Sequence, residues 1–147
     1  MESTSFETLR QFLATVGFDS SVLEDKLHKL LVDIYSSMYE SLYTHLPEDK
    51  KDEFKTCHEE YKNSPKDKTA YDKVMLELKK LKFFVPNVSE LYDIARLKGI
   101  QKFATEENLT PEQKETANSF IRDYYSKEPK GKTIYDGFVS SNGLVVK

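Results

Sequence analysis

The chain contains an internal repeat, in which one stretch of sequence recurs 64 residues further along. The segment Pro47–Asp72 aligns with Pro111–Asp136 without a gap, and ten of the 26 aligned positions are identical. The identities include a proline at the expected helix start, a tyrosine late in that helix (Tyr61 and Tyr125), and a second proline at the following break. A period of this length indicates a duplicated supersecondary unit. Because repeated helical units usually build interaction surfaces, the repeat favours a binding role over an enzymatic one.

Apolar side chains recur at helical spacing along most of the chain, which predicts an all-α fold. The most regular stripe lies on a helix expected at about residues 21–46 and consists of Leu23, Leu27, Leu30, Leu31, Ile34, Met38, Leu42 and His45. Further helices are expected at about residues 4–16, 47–62, 69–85, 87–104 and 110–124. Their starts are marked by capping boxes at Thr4/Glu7, Ser21/Glu24 and Thr110/Gln113, and by a cap at Thr69. Gly17 is expected to stop the first helix in a left-handed conformation, and Gly99 to bend or stop the fifth.

These helices predict one helical domain over residues 1–147, folded as a compact bundle of about six helices. The repeat divides it into units at about 22–85 and 86–147, with an extra N-terminal helix at 4–16. A chain of 147 residues is long enough to bury an ordinary core without disulfides.

The C-terminal tail allows two interpretations. Residues 134–146 can form a β-hairpin around Asn142-Gly143, a sequence that favours tight turns. The repeat instead predicts a short helix from Thr133 to Ser141, because Thr133 and Asp136 repeat the helix start at Thr69 and Asp72. We favour the helix.

Composition restricts the compartment and the partner class. The net charge of −3 argues against a nucleic-acid partner, because nucleic-acid-binding proteins usually have a strongly basic face. The single cysteine, Cys57, fits a reducing compartment. With no leader and no apolar run long enough to span a membrane, we expect a cytoplasmic protein. In the alternative of a mature secreted form, the sequons at Asn87 and Asn108 would become relevant.

The sequence shows no pattern typical of catalysis. Glycine-rich phosphate-binding loops and the GxSxG motif are missing from it. Cys57 and His58 are the one close Cys/His pair, but neighbours on a helix diverge by about 100° and are badly placed to share a metal or a proton. Together with His28 and His45 they match no zinc spacing. We therefore expect no catalytic site, no metal and no cofactor.

Two groups of residues are candidates for partner binding. Tyr35, Tyr39 and Tyr43 are spaced by four on the second helix, and the latter two lie away from its apolar stripe. They form either a second packing face, a tyrosine-rich contact face for another protein, or the lining of a ligand cavity. The lysines Lys79, Lys80 and Lys82 end the fourth helix. They either complement the helix dipole or bind an acidic partner or a phosphate-bearing surface.

The sequence is compatible with three functions. The first is a non-catalytic helical module, adaptor or regulatory in kind, that binds another protein. The second is an intracellular or secreted carrier of an apolar, fatty-acid-like ligand in a helical cavity. In general character rather than by a motif, the Lys/Glu-rich helices with breaks such as LTPEQK (109–114) resemble nematode fatty-acid- and retinol-binding proteins. The third is an enzyme of unknown class. The repeat and the surplus aromatic residues favour the first.

Overall fold

The computed structural model describes residues 2–147, with side chains from Phe6 onward, and this part of the chain is all-α. It contains seven α-helices: α1 (Glu2–Val16), α2 (Leu23–Leu42), α3 (Glu48–Asn63), α4 (Lys68–Lys80), α5 (Val88–Glu106), α6 (Pro111–Tyr125) and α7 (Pro129–Asn142). Short 3₁₀ turns follow α2 at Tyr43–His45 and α4 at Leu81–Phe83. The prediction of an all-α fold is confirmed, and over the described residues no strand forms in the tail. The predicted tail helix is α7, which begins four residues earlier than expected, with Pro129 in its first turn.

Several helix ends differ from the prediction for local reasons. The Asp67 side chain accepts a hydrogen bond from the Thr69 amide, so Asp67 and not Thr69 caps α4. Thr133 likewise lies inside α7, and its hydroxyl donates to the Pro129 carbonyl. The N-terminal helix begins at Glu2, and the Thr4 side chain lies outside the part of the structure described. Around Ser21, the Asp19 carboxylate accepts from the Ser21 amide and α2 begins only at Leu23.

Two expected helix signals are confirmed. Thr110 and Gln113 form a reciprocal capping box at the start of α6. Gly17 directly follows α1 and has a positive φ of 114°. Glycine adopts this left-handed conformation without steric strain, so it ends the helix as expected.

The chain divides into two compact units. The first comprises the residues up to Leu30 together with Ile100–Lys147, and the second comprises Leu31–Gly99. Their boundaries fall inside α2 and α5, so they differ from the sequence repeat units at about 22–85 and 86–147.

In the second unit, α2, α3, α4 and the start of α5 enclose an apolar core. The predicted α2 stripe is largely buried, but His45 at its end is exposed. Gly99 does not stop α5, which continues to Glu106. A Cβ at this position would lie 2.4 Å from the Ile34 Cα, so glycine lets α5 pack closely on α2. The Tyr92 hydroxyl on α5 donates to the Leu78 carbonyl on α4, and burial raises the pKa of Tyr92 to about 12.

In the first unit, α6 packs against α1 and α7. Two lysines of α2, Lys26 and Lys29, bind the nearly buried Glu107 carboxylate at 2.7 and 2.6 Å. Burial disfavours ionisation of Glu107, but the hydrogen bonds from the two lysines outweigh it, and its pKa is lowered. The chain after α7 is held by Asn118, whose side chain donates to the Val146 carbonyl and accepts from the Val146 amide.

The repeated segments both form helical hairpins, which we name the first hairpin (α3–α4) and the second hairpin (α6–α7). In the first, the rings of Tyr61 and Tyr71 lie 6.1 Å apart. In the second, the corresponding rings of Tyr125 and Tyr135 lie 6.3 Å apart. Each hairpin also has an exposed ion pair near the start of its second helix, formed by the residues Lys68 and Asp72, or Lys132 and Asp136.

Candidate functional site

Exposed apolar side chains concentrate at the end of α4. Among the described residues, six large apolar side chains are exposed, and three of them lie on α4, on its 3₁₀ turn or directly after that turn: Leu76 (54%), Phe83 (75%) and Phe84 (40%). Single exposed apolar residues are normal on a protein surface, but a cluster is informative. This end of α4 is therefore the part of the described surface that most needs a functional explanation.

The local backbone explains why both phenylalanines face solvent. Leu81 and Val85 are almost completely buried, and the Phe84 and Val85 amides both donate to the Leu81 carbonyl, at 2.9 and 2.8 Å. These two buried anchors are four residues apart, so they occupy the inner side of the turn. Lys82, Phe83 and Phe84 between them are exposed.

Three lysines accompany the two phenylalanines, and we name the five residues Lys79, Lys80, Lys82, Phe83 and Phe84 the basic–aromatic edge. Lys80 is paired with Glu77 at 3.2 Å. The Lys82 ammonium lies 5.3 Å from the centre of the Phe83 ring, a cation–π geometry. Neither Lys79 nor Lys82 forms an ion pair with another described residue, so both ammonium groups remain available to an external carboxylate.

Below the edge lies a cavity of about 240 Å³ between α3 and the end of α4. Its apolar lining consists of Leu46, Phe54, Leu81, Phe83 and Phe84. Its charged lining consists of Lys50, Glu53, Glu77 and Lys80. Leu46, Phe54 and Leu81 are buried core residues, so the cavity has an apolar base that is continuous with the core.

A second hollow of about 500 Å³ lies beside the first and is lined mostly by charged side chains of α3 and α4. Cys57 is part of its wall, and Lys73 and Glu60 form an ion pair across it at 3.5 Å. Burial raises the pKa of the Cys57 thiol, and the nearby carboxylates, first Glu77, add to this effect. A raised pKa lowers the thiolate fraction, which is the opposite of what a nucleophilic cysteine requires.

His58 has different neighbours from Cys57. Its ring lies parallel to Tyr39 with centroids 4.3 Å apart, on the side of α3 that faces α2. Over the residues that the structure describes, no group of three or more His, Cys, Asp or Glu side chains is placed to hold a metal ion.

The structure places Tyr39 and Tyr43 against α3. Tyr39 also stacks on Phe54 at 5.3 Å and contacts Tyr43 at 5.2 Å. Burial raises the pKa of Tyr39, with Tyr43 and Glu59 as further causes. Both tyrosines are half-buried rather than fully buried, so each has one covered and one accessible side. A contact function for this face stays a prediction.

Tyr35 has a different environment from the other two tyrosines. Its ring packs edge-on against Tyr61 at 5.4 Å, and its hydroxyl lies 3.5 Å from the Tyr71 hydroxyl and 3.4 Å from the Met75 sulfur. Burial, then the hydrogen bond to Tyr71, raises its pKa. The three predicted tyrosines therefore do not form one surface, because Tyr35 belongs to a tyrosine cluster between α2 and the first hairpin.

Phe83 and Phe84 were missed by the sequence interpretation, although the three lysines beside them were selected. A signal was present in the spacing of Leu81 and Val85, which places two apolar anchors one turn apart and leaves the adjacent phenylalanines outside.

Among the described helices, none has the length and apolar character needed to span a membrane. Comparison with known protein families, curated proteins and solved structures found no match to this chain.

Proposed function

We propose that this protein is a non-catalytic helical module that binds another protein through its basic–aromatic edge. The observation that carries the proposal is the outward position of Phe83 and Phe84 between two buried anchors. Beside them, Lys79 and Lys82 form no ion pair with another described residue. Aromatic residues are enriched at the energetic centres of protein interfaces. Exposure of Phe83 at 75% leaves a large apolar area in water, and a partner that covers it gains hydrophobic free energy.

The size of the cavity favours a protein partner over a carried small molecule. Sites that enclose drug-sized ligands measure about 300–1,000 Å³, whereas the cavity below the edge measures about 240 Å³. The larger hollow contains the Lys73–Glu60 ion pair in its wall, and covering these charges with an apolar ligand would cost free energy. The carrier function therefore has less support from these two cavities than the interaction module has from the edge.

An internal duplication is part of the same proposal. The helices α5, α6 and α7 begin 65, 63 and 61 residues after α2, α3 and α4. The tyrosine pairs and the Lys–Asp pairs of the two hairpins have corresponding positions. We propose that one three-helix unit gave rise to both halves, and that only the first copy acquired an exposed aromatic pair after its last helix.

The test compares three forms of the protein in affinity capture from the native source, followed by quantitative mass spectrometry. The forms are the natural chain, the double variant Phe83→Ser/Phe84→Ser, and the control Tyr124→Ser. Tyr124 is exposed to the same 40% as Phe84 but lies in the other compact unit. We expect a partner that the natural chain and the control retain equally and that the double variant retains much less.

Each retained protein is then purified and titrated calorimetrically against the three forms. Loss of about 2 kcal/mol of binding free energy, roughly 30-fold in Kd, is expected for the double variant. Thermal unfolding serves as a folding check, because exposed substitutions usually change stability by about 0.5 kcal/mol or less. Equal retention of every captured protein by all three forms would contradict the proposal.

A further variant, Tyr39→Ser/Tyr43→Ser, separates the edge from the tyrosine face. Because Tyr39 stacks on His58 and Phe54, we expect the main loss to be in stability, by several kcal/mol. If the fold instead stays stable and the partner complex weakens by about 2 kcal/mol, the tyrosine face takes part in the interface.

A further inference from the structure

We propose that the partner contributes an acidic segment, and that one apolar side chain of this segment enters the cavity between α3 and the end of α4. This inference rests on the proposed function and specifies the chemistry of the partner at the same site. Three observations support it: the size of the cavity, the nature of its base, and the distribution of charge around it.

The cavity is suited to a single side chain. At about 240 Å³ it is smaller than pockets for drug-sized molecules, and its lining includes the exposed Phe83 and Phe84 as well as the buried Phe54 and Leu81. An aliphatic or aromatic side chain that enters would contact apolar groups on several sides. It would also displace water that finds few hydrogen-bond partners at the apolar base.

The charge around the cavity selects an acidic segment. The lining of the cavity itself is balanced, with Lys50 and Lys80 against Glu53 and Glu77, and Glu77 is paired with Lys80. The positive excess comes from the exposed Lys79 and Lys82 of the neighbouring basic–aromatic edge. Among the described side chains, none forms an ion pair with Lys50, Lys79 or Lys82. Carboxylates on both sides of the inserted side chain would meet these three ammonium groups, whereas a basic segment would be repelled.

An anionic membrane fits this site less well than a peptide. A lipid surface would cover Phe83 and the lysines, but a broad surface of anionic headgroups would also approach Glu53 and Glu77. A peptide can place its carboxylates next to the lysines and its apolar side chain over the cavity. We therefore favour a protein segment and treat membrane binding as an outcome that would contradict the proposal.

The experiment selects peptides from a random displayed library on the immobilised natural chain and measures the affinity of the selected peptides in solution. We expect a consensus with one large apolar residue, such as Leu or Phe, flanked by Asp or Glu. The affinity is expected to fall as the salt concentration rises, because exposed charge pairs are screened. In parallel, binding of the natural chain to vesicles that contain about 30% phosphatidylserine is measured as the test for a lipid surface.

Two matched pairs of variants locate the binding site. The double variants Phe83→Ser/Phe84→Ser and Lys79→Glu/Lys82→Glu are each expected to lower the affinity for the selected peptides at least tenfold. The control Lys102→Glu/Lys130→Glu changes the net charge by the same amount on exposed lysines of the other compact unit, and it is expected to leave the affinity within twofold.

The outcomes separate this inference from the proposed function. Peptides without acidic residues, an absence of enriched peptides, or affinities that survive both edge variants would overturn the inference. Binding to the anionic vesicles that the edge variants abolish, without peptide enrichment, would also overturn it. If natural partners are nevertheless lost from Phe83→Ser/Phe84→Ser, the proposed function still holds and only the acidic chemistry is wrong.

Discussion

The two hairpins share a tyrosine pair and a Lys–Asp ion pair at corresponding positions, but they differ in the chain that follows them. After the first hairpin, Leu81 and Val85 turn inward and leave Phe83 and Phe84 in solvent. After the second, Val145 and Val146 are buried, and Asn118 holds Val146 through two hydrogen bonds. Gln101 also donates to the Leu144 carbonyl. The comparison indicates that the segment after each hairpin determines which apolar side chains stay exposed: Phe83 and Phe84 after the first hairpin, and Leu144 alone after the second.

The largest expected effects test whether the hairpins share one core design. Tyr61 and Tyr125 are corresponding buried residues that each pack against the next helix. Replacing either one by Ala removes a large buried ring, so we expect each variant to lose about 3–5 kcal/mol of unfolding free energy in urea titrations. A cost below about 1 kcal/mol for one variant, beside a large cost for the other, would show that the two tyrosines are not equivalent.

The next effect concerns a close contact that belongs to the second hairpin. A Cβ at Gly131 would lie 2.5 Å from the Tyr125 carbonyl oxygen, a backbone atom that cannot move aside cheaply. We expect Gly131→Ala to cost about 1–3 kcal/mol of stability by overpacking. The control is Gly137→Ala in the same helix, where the added Cβ would meet no atom within 4 Å. There the better helix propensity of alanine should stabilise the protein, by up to about 1 kcal/mol.

Thermal melts of the two alanine variants provide the measurement. Equal and small changes in melting temperature for both variants would show that α7 can move away from the end of α6 without cost. The close approach of Gly131 to Tyr125 would then not be required for stability.

The sequence predicted those features that depend on local pattern. The α2 stripe is buried from Leu27 to Leu42 as expected, because its periodicity directly reflects one helix face. The cap at Thr69 was wrong because the nearby Asp67 can also cap the helix, and propensity does not decide between them. The packing role of Gly99 was missed because it depends on the approach of Ile34 on another helix. Its effect is tertiary and has no local signal.

The candidate site divides in the same way. Lys79, Lys80 and Lys82 were found because charge clusters are visible in the sequence. Exposure of Phe83 and Phe84 depends on which neighbouring residues the core accepts, and apolar composition alone suggests burial. Tyr35, Tyr39 and Tyr43 share a helical spacing, but the first hairpin packs against them at different depths, which only the structure reveals.

A smaller effect contrasts the held tail with the open edge. Asn118→Ala removes both hydrogen bonds to Val146, and we expect a loss of about 1–2 kcal/mol with faster hydrogen exchange at the Val146 amide. Phe83→Ser/Phe84→Ser changes the segment after the first hairpin instead, and it should change stability by about 0.5 kcal/mol or less. If the edge variant proves the more destabilising, the phenylalanines belong to the core and the surface is not free for a partner.

The smallest expected effects come from the ion pairs that the hairpins share. Lys68–Asp72 and Lys132–Asp136 span one helical turn at 3.3 and 2.7 Å, and all four side chains are more than half exposed. Double-mutant cycles with Ala should therefore give about 0.3–0.5 kcal/mol or less for each pair, decreasing at high salt. The low end of this range is expected because the cation precedes the anion along the helix, the less favourable order. Coupling above about 1 kcal/mol in only one hairpin would mean that this pair is held by its surroundings. In that case the hairpins would differ in their own stability, and the contrast between them could no longer be assigned only to the segments that follow.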